Sequence, residues 1–324
     1  MLNSLTPATA LVSLALFVAP AAAGQKWDMP MAYPATNFHT VNAGMFGECV
    51  KSGTSGEIEI ATHPNGTLFK GNDIKRAVQQ GQVMIGERLL SAHENENPLF
   101  GLDSVPFVTN SYEQSEKLWQ AGKAEISKPL DAQGLVMLYS VPWPPQGIYF
   151  KKEVNSTDDM KGVKVRSYNN STGKISELSG MVPVQLEASE ITQGLITGVI
   201  ESLITSAVTG QDSKAWEQLT HFYKVNAWQP RNFVLVNKDA WDGLSDATRK
   251  VFTDCAATAE ANGVKMSMEA NDKALATLAE KGMKVLDPSD ELAKQLRVIG
   301  ETMVNDWKSK AGAAGQAVLE AYAK

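Results

Sequence analysis

Past residue 25 the chain opens on an alternation. Trp27, Met29 and Met31 fall at every second position between Lys26 and Tyr33, the period of a strand with one buried face. Pro34–Asn37 reads as a loop, and a helix follows to about Val50. Ile58 and Ile60 mark a second strand, ended by Pro64-Asn65-Gly66. The period then changes. Ile74, Ala77 and Val78 recur at helical spacing, with Asn72 as the cap and Gly81 as the stop. Val83–Gly86 predicts a strand that delivers Glu87 and Arg88 at its end. Strand and helix alternate through this first third, as in a wound α/β sheet.

The later pattern continues in kind. Leu135–Val141 predicts a strand, and Pro142-Trp143-Pro144-Pro145 stiffens the backbone after it, a candidate crossing between two lobes. Val163 and Val165 alternate with Lys164 in a short strand that ends on Arg166. Ser189 caps a predicted helix carrying Ile191, Leu195, Ile196 and Val199, which leads through Gly198 into Leu203-Ile204-Thr205. Phe233–Asn237 predicts a strand. Ser245 caps a long helical region reaching about Lys281, and a short strand (Met283–Leu286) and two amphipathic helices, from about Ser289 and Gly312, complete the chain. Two segments echo each other: Ile74-x3-Val78-x2-Gly81-x-Val83 has the spacing of Ile191-x3-Leu195-x2-Gly198-x-Ile200. Two lobes of similar topology facing one cleft would produce this echo, and so would chance.

Composition narrows the partners. A chain of 324 residues is long enough for two domains. Its net charge of −6 argues against nucleic acid and anionic membrane as partners, so any anion site has to be built locally. Ala10–Ala19 is a short apolar run, and Ala21-Ala22-Ala23 offers a small-residue cleavage site before Gly24. Residues 1–23 therefore read as a secretory signal peptide, too short for a membrane span, although the first basic residue is Lys26. The protein is expected to be exported to the periplasm without inserting in a membrane. Cys49 and Cys255 could pair in that oxidising compartment, but a domain of this size needs no staple, and two buried free thiols are the favoured expectation.

No G-x-S-x-G elbow, P-loop, H-E-x-x-H helix or metal-like Cys/His cluster occurs, so neither a cofactor nor a metal is expected. His39, His63, His93 and His221 have no partner at ligand spacing. Arg166 stands out by position. An arginine ending an edge strand is most often a surface residue. At a strand end facing a crevice it can instead grip a carboxylate with two parallel charge-assisted hydrogen bonds.

At these residues the sequence resembles the periplasmic solute-binding proteins of TRAP (tripartite ATP-independent periplasmic) transporters. The segment DDMKGVKVR, closed by Arg166, looks like the family's DLKGLKIR, whose arginine grips the ligand carboxylate. GVIESLITS (198–206) lies over GVVDGQENP and maps a ligand-contacting residue onto Thr205. QQGQVMIGE (79–87) maps an acidic pocket residue onto Glu87, and LDSVPFV (102–108) is similar to DLPFLF. Gln146 stands where some members carry a second arginine. The resemblance implies an α/β fold of two lobes around a ligand cleft, spanned by a long helix. Lobe I would cover 24–143 and 232–270, lobe II 144–231 and 300–324, with 246–281 spanning them. It also implies capture of a small organic acid by lobe closure and delivery to membrane permease subunits, without catalysis.

Further site residues are expected from loops beside the cleft: Tyr33, Phe38, Trp143, Tyr168, Asn169 and Trp228. Each aromatic taken alone is more often packing than ligand contact, since aromatics dominate cores. Together with Leu203 and Ile204, which replace polar motif residues, they point to an aromatic or apolar monocarboxylate. Alternation puts Glu87 and Arg88 on opposite strand faces, so only one of the two is expected to reach the ligand. Two other roles stay open at this point: a ligand carrier for a sensor or chemoreceptor, and a periplasmic enzyme with Glu87 as base.

Overall fold

A computed structural model describes residues 24–324, and the expected signal peptide lies outside the described residues. The chain begins with β1 (Gln25–Pro30), α1 (Phe38–Gly53), β2 (Ile58–His63), α2 (Gly71–Gln79) and β3 (Ile85–Leu89). It continues through α3 (Tyr112–Ala132) and β4 (Leu135–Pro142) to β5 (Gln146–Phe150). Next come β6 (Lys164–Ser167), α4 (Asn170–Leu178), β7 (Val182–Gln185), α5 (Ile191–Ile196), β8 (Ser202–Ser206) and α6 (Ala207–Asp212). The last part is β9 (His221–Tyr223), β10 (Arg231–Asn237), α7 (Lys238–Asp242), α8 (Asp246–Glu280), β11 (Lys284–Leu286) and α9 (Asp290–Ala323).

The strands fall into two groups, one per lobe. In lobe I, β1 and β2 pair in parallel, and β10 lies antiparallel between β3 and β4. Lobe II holds a six-stranded mixed sheet in the order β11-β9-β5-β8-β6-β7. Besides the long helices, two short passages connect the lobes, at Pro142–Gln146 and from β9 to β10. The two passages are hydrogen-bonded to each other: Trp143 N donates to Pro230 O (2.7 Å) and Gln146 N to Trp228 O (2.9 Å). Fixed proline φ angles on one passage and this pairing on the other make a short, ordered hinge.

The helix α8 spans both lobes. At 35 residues it is about 50 Å long at 1.5 Å per residue. Ser245 caps it, accepting from Thr248 N, as the sequence predicts. Its first half packs on α1 and β4, and its second half reaches α6 and β11. Cys255 lies in that first half and is bonded to Cys49 of α1. The expectation of two free thiols is therefore wrong. The cysteines are 206 residues apart, and only the packing of α1 on α8 brings them together, a tertiary fact that spacing does not carry.

Other departures are local. The helix after Ser189 is short: α5 ends at Ile196, which is 57% exposed, and Val199 beyond it is exposed too. Asn72 does not cap α2; the cap position is Lys70. The last two helices are merged across a break at Gly312, whose φ of +54° is left-handed. The C-terminal stretch also departs from the expected division. Leu292, Leu296 and Met303 pack in the core of lobe II, but Trp307 and Val318 pack with Leu118 and Trp119 of lobe I. Residues 300–324 thus do not belong to lobe II alone. A helix α3, with Leu118, Ile126 and Leu130 buried, has no counterpart among the elements expected from the pattern.

Candidate functional site

Arg166 sits third in the four-residue strand β6, paired with Val184 of β7 on one side and Leu203 of β8 on the other. Its side chain is buried, and Nε donates to Leu186 O at 2.9 Å. The guanidinium stacks over the Tyr168 ring, 4.8 Å from the centroid. Among the described residues no carboxylate lies within ion-pair distance of it. Burial lowers its pKa from the usual arginine value, while Tyr168 and Glu187 pull the other way, and an arginine so placed keeps its charge. The result is a buried cation on a cavity wall with no carboxylate in ion-pair range.

That cavity encloses about 420 Å³ of atom-free space, the open solvent at its mouth included. Tyr33, Arg88, Trp143, Gln146, Tyr168 and Thr205 line it together with Arg166. Four other expected site residues do not. Glu87 points the opposite way from Arg88, as strand alternation requires, into the interior of lobe I. There Oε1 accepts from Asn232 Nδ2 (2.9 Å), and Asn232 Oδ1 accepts from Trp143 Nε1 (2.8 Å). Glu87 is therefore a support for Trp143, not a group offered to the cleft. His39 Nδ1 lies 3.2 Å from the same oxygen without hydrogen-bond alignment, and burial holds its pKa below the ordinary histidine value.

Phe38 packs edge-on against Trp143 (centroids 5.4 Å apart, 77°) from behind, so it does not form one side of an aromatic sandwich. Tyr33 also meets Trp143 edge-on, at 4.8 Å, but faces the cavity. Trp228 is buried beneath the floor, and its Nε1 donates to Tyr168 Oη (3.0 Å). Tyr168 Oη in turn donates to Gln146 Oε1 (3.0 Å), which fixes both at the cavity wall. Asn169 caps α4 through Thr172 N, and its Nδ2 reaches Ser91 Oγ (3.0 Å) and Ser104 Oγ (3.3 Å) in lobe I. It ties the lobes together and does not line the cavity. Leu203 and Ile204 pack into two different hydrophobic clusters, so they do not make the cleft apolar.

Arg88 enters from β3. Its Nη2 donates to Asn72 Oδ1 and lies 3.4 Å from Glu187 Oε1, so its charge is already met. Glu187 also lines the cavity and has no place among the sequence-predicted site residues. It follows β7 as the cap of a three-residue turn (Ala188–Glu190), where it forms a capping box with Glu190. Read from sequence, a Glu-x-x-Glu beside a helix start signals a cap, and nothing in it points across a cleft. Thr209 and Pro230, also on the wall, carry no pattern that singles them out. Among the described residues no group of three or more His, Cys, Asp or Glu could hold a metal, and no helix is long and apolar enough to cross a membrane.

Comparison with known proteins agrees with this geometry. The profile of DctP, described as bacterial extracellular solute-binding protein family 7, matches residues 31–310. A TRAP solute-binding protein from an unidentified marine microbe, solved with co-purified pyroglutamate, is 50% identical. The superposition has a TM-score of 0.92 and covers 93% of this chain and 99% of that one. DctP7 of Bordetella pertussis, an extracytoplasmic solute receptor binding pyroglutamic acid, is 44% identical, with a TM-score of 0.91 over 93% of this chain and 100% of that one. A monocarboxylate 2-oxoacid-binding periplasmic protein of Nostoc is 27% identical over 90% of this chain and 81% of its own length. With its two α/β lobes, inter-lobe cleft and spanning helix, the chain belongs to the extracellular solute-binding proteins of family 7, which serve TRAP transporters.

Proposed function

We propose that this protein captures a compact monocarboxylate in the periplasm, by closure of its lobes, and hands it to a TRAP membrane permease. The observation that carries the reading is the charge balance of the cavity. Its charged wall residues are Arg88, Arg166 and Glu187, two cations and one anion, which leaves one positive charge for the ligand. Arg166 holds that charge with its fork open, the arrangement a single carboxylate fills with two parallel hydrogen bonds. A diacid would bring a second charge with no cation left to meet it. Tyr33, Trp143 and Tyr168 offer ring faces and edges to a small flat body. Pyroglutamate, which two relatives at 44–50% identity bind, is the first compound to try.

The test is a side-by-side calorimetric titration with pyroglutamate, cyclopentanecarboxylate, benzoate, succinate and a hexuronate. A five-membered ring acid should bind tightest. Tightest binding by the diacid or the hexuronate overturns the charge argument. Small-angle scattering on the same samples checks closure: the radius of gyration should fall at saturating ligand, and an unchanged value counts against lobe movement.

A further inference from the structure

Arg88 and Glu187 form a pair that the grip of Arg166 on a carboxylate does not use. Nη2 of Arg88 lies 3.4 Å from Oε1 of Glu187, with side-chain exposures of 4% and 18%. The two residues come from opposite lobes, β3 on one side and the turn after β7 on the other. Both face the cavity that holds Arg166. The first residue of α2 closes in behind them. A Cβ on Gly71 would lie 2.5 Å from Glu187 Oε2 and 2.7 Å from Arg88 Nη1, so a larger residue there would push the ends of both side chains aside. Side by side, the two side chains present an N–H donor and a carboxylate acceptor to one small space.

A donor beside an acceptor complements an amide that shows its N–H and C=O on a single edge. An ordinary secondary amide is trans and holds them on opposite sides. A small lactam ring locks the cis form, which an open chain reaches only at a cost. We propose that the Arg88–Glu187 pair reads the lactam edge of the bound acid. Glu187 accepts the ring N–H and Arg88 donates to the ring carbonyl, while Arg166 holds the carboxylate. The proposal rests on the carboxylate role of Arg166 and adds the part of the site that sets specificity. A ring oxygen in place of the N–H would set acceptor against acceptor at Glu187, the kind of mismatch that a hydrogen-bonding site rejects strongly.

The test compares pyroglutamate with its matched lactone, 5-oxotetrahydrofuran-2-carboxylate, by calorimetry on the wild-type protein, Glu187→Met and Glu187→Gln. The wild type should prefer the lactam by about tenfold or more, the usual consequence of leaving a buried acceptor unpaired. Glu187→Met removes the acceptor and should bring the ratio close to one. Glu187→Gln keeps a carbonyl acceptor and should restore part of the preference, which a merely structural role of Glu187 would not do. A wild-type ratio near one, or a ratio unchanged in Glu187→Met, overturns the proposal while leaving the carboxylate site intact. Failure of both ring acids to bind sinks the carboxylate reading itself, so the two failures are distinguishable.

Discussion

Two buried arginines reach one cavity from opposite lobes, and the lobes treat them differently. Arg166 is held entirely from its own side: Leu186 O and the Tyr168 ring both belong to lobe II. Its surroundings persist whether the lobes are open or closed. Arg88 is held partly by Asn72 of its own lobe and partly by Glu187 from across the cleft. Opening the lobes would take Glu187 away. One arginine thus has no carboxylate partner in the protein, and the other is partnered from across the cleft. A buried charge without a counter-ion costs several kcal/mol, so the uncompensated one is the better candidate for meeting an anion.

The largest effect expected from this contrast is at Arg166. Arg166→Ala should weaken binding of the preferred acid by about 2–5 kcal/mol, since the ligand carboxylate would lose its buried partner. Arg166→Lys should lose most of the affinity as well, because an ammonium does not reproduce the planar fork. Titration calorimetry checks both. Near-native affinity in Arg166→Ala would exchange the roles assigned to the two arginines and make Arg88 the carboxylate site.

The lobes also differ in how they are braced. Both cysteines serve the Arg88 side, where they tie α1 to α8 across 206 residues of chain. A crosslink closing so long a loop constrains the unfolded chain strongly, and its removal should cost about 2–4 kcal/mol. The double variant Cys49→Ser/Cys255→Ser should therefore unfold at lower denaturant concentration than the wild type. Ligand affinity should change far less than stability, because the bond lies away from the cavity wall. A large loss of affinity at unchanged stability would mean that the staple shapes the cleft.

How much of this contrast was legible in the sequence follows from which interactions are local. The helix–glycine–strand echo is real structure: Gly81 and Gly198 have φ of +68° and +72°, and each is followed by a strand with wall residues. Arg88 stands seven residues after Gly81, and Thr205 seven after Gly198, so the echo places two cavity residues at matched positions. Alternation separates Glu87 from Arg88, but it does not say which of the two faces the core. That choice is made by β10, whose Asn232 meets Glu87. The same holds for Leu203 and Ile204, apolar by type and buried in packing clusters, not in the cleft. Glu187 and the Cys49–Cys255 bond depend wholly on contacts between distant segments, and no local spacing encodes them. The short β5 and β9, of five and three residues, offer too few positions for a period to show.

The smallest effect concerns a further contact between the lobes. Ser171 Oγ of α4 donates to Glu94 Oε2 of lobe I at 3.1 Å. Burial pushes the Glu94 carboxyl up from 4.5 to about 6, against the opposing pull of Ser171 and Lys310. A carboxyl with a raised folded pKa binds its proton more tightly in the native state than in the unfolded one. Its contribution to stability is therefore fully present below about pH 4.5 and is lost as pH rises through about 6. The shift sets an upper limit of about 2 kcal/mol, and partial exposure brings the expected value nearer 1. Chemical denaturation across that window should show a shallow decline in stability for the wild type. Glu94→Gln, which cannot ionise, should flatten the Glu94 part of the decline. If the wild-type and Glu94→Gln profiles run parallel from pH 4 to 7, Glu94 titrates alike in the folded and unfolded states, and burial does not raise its pKa.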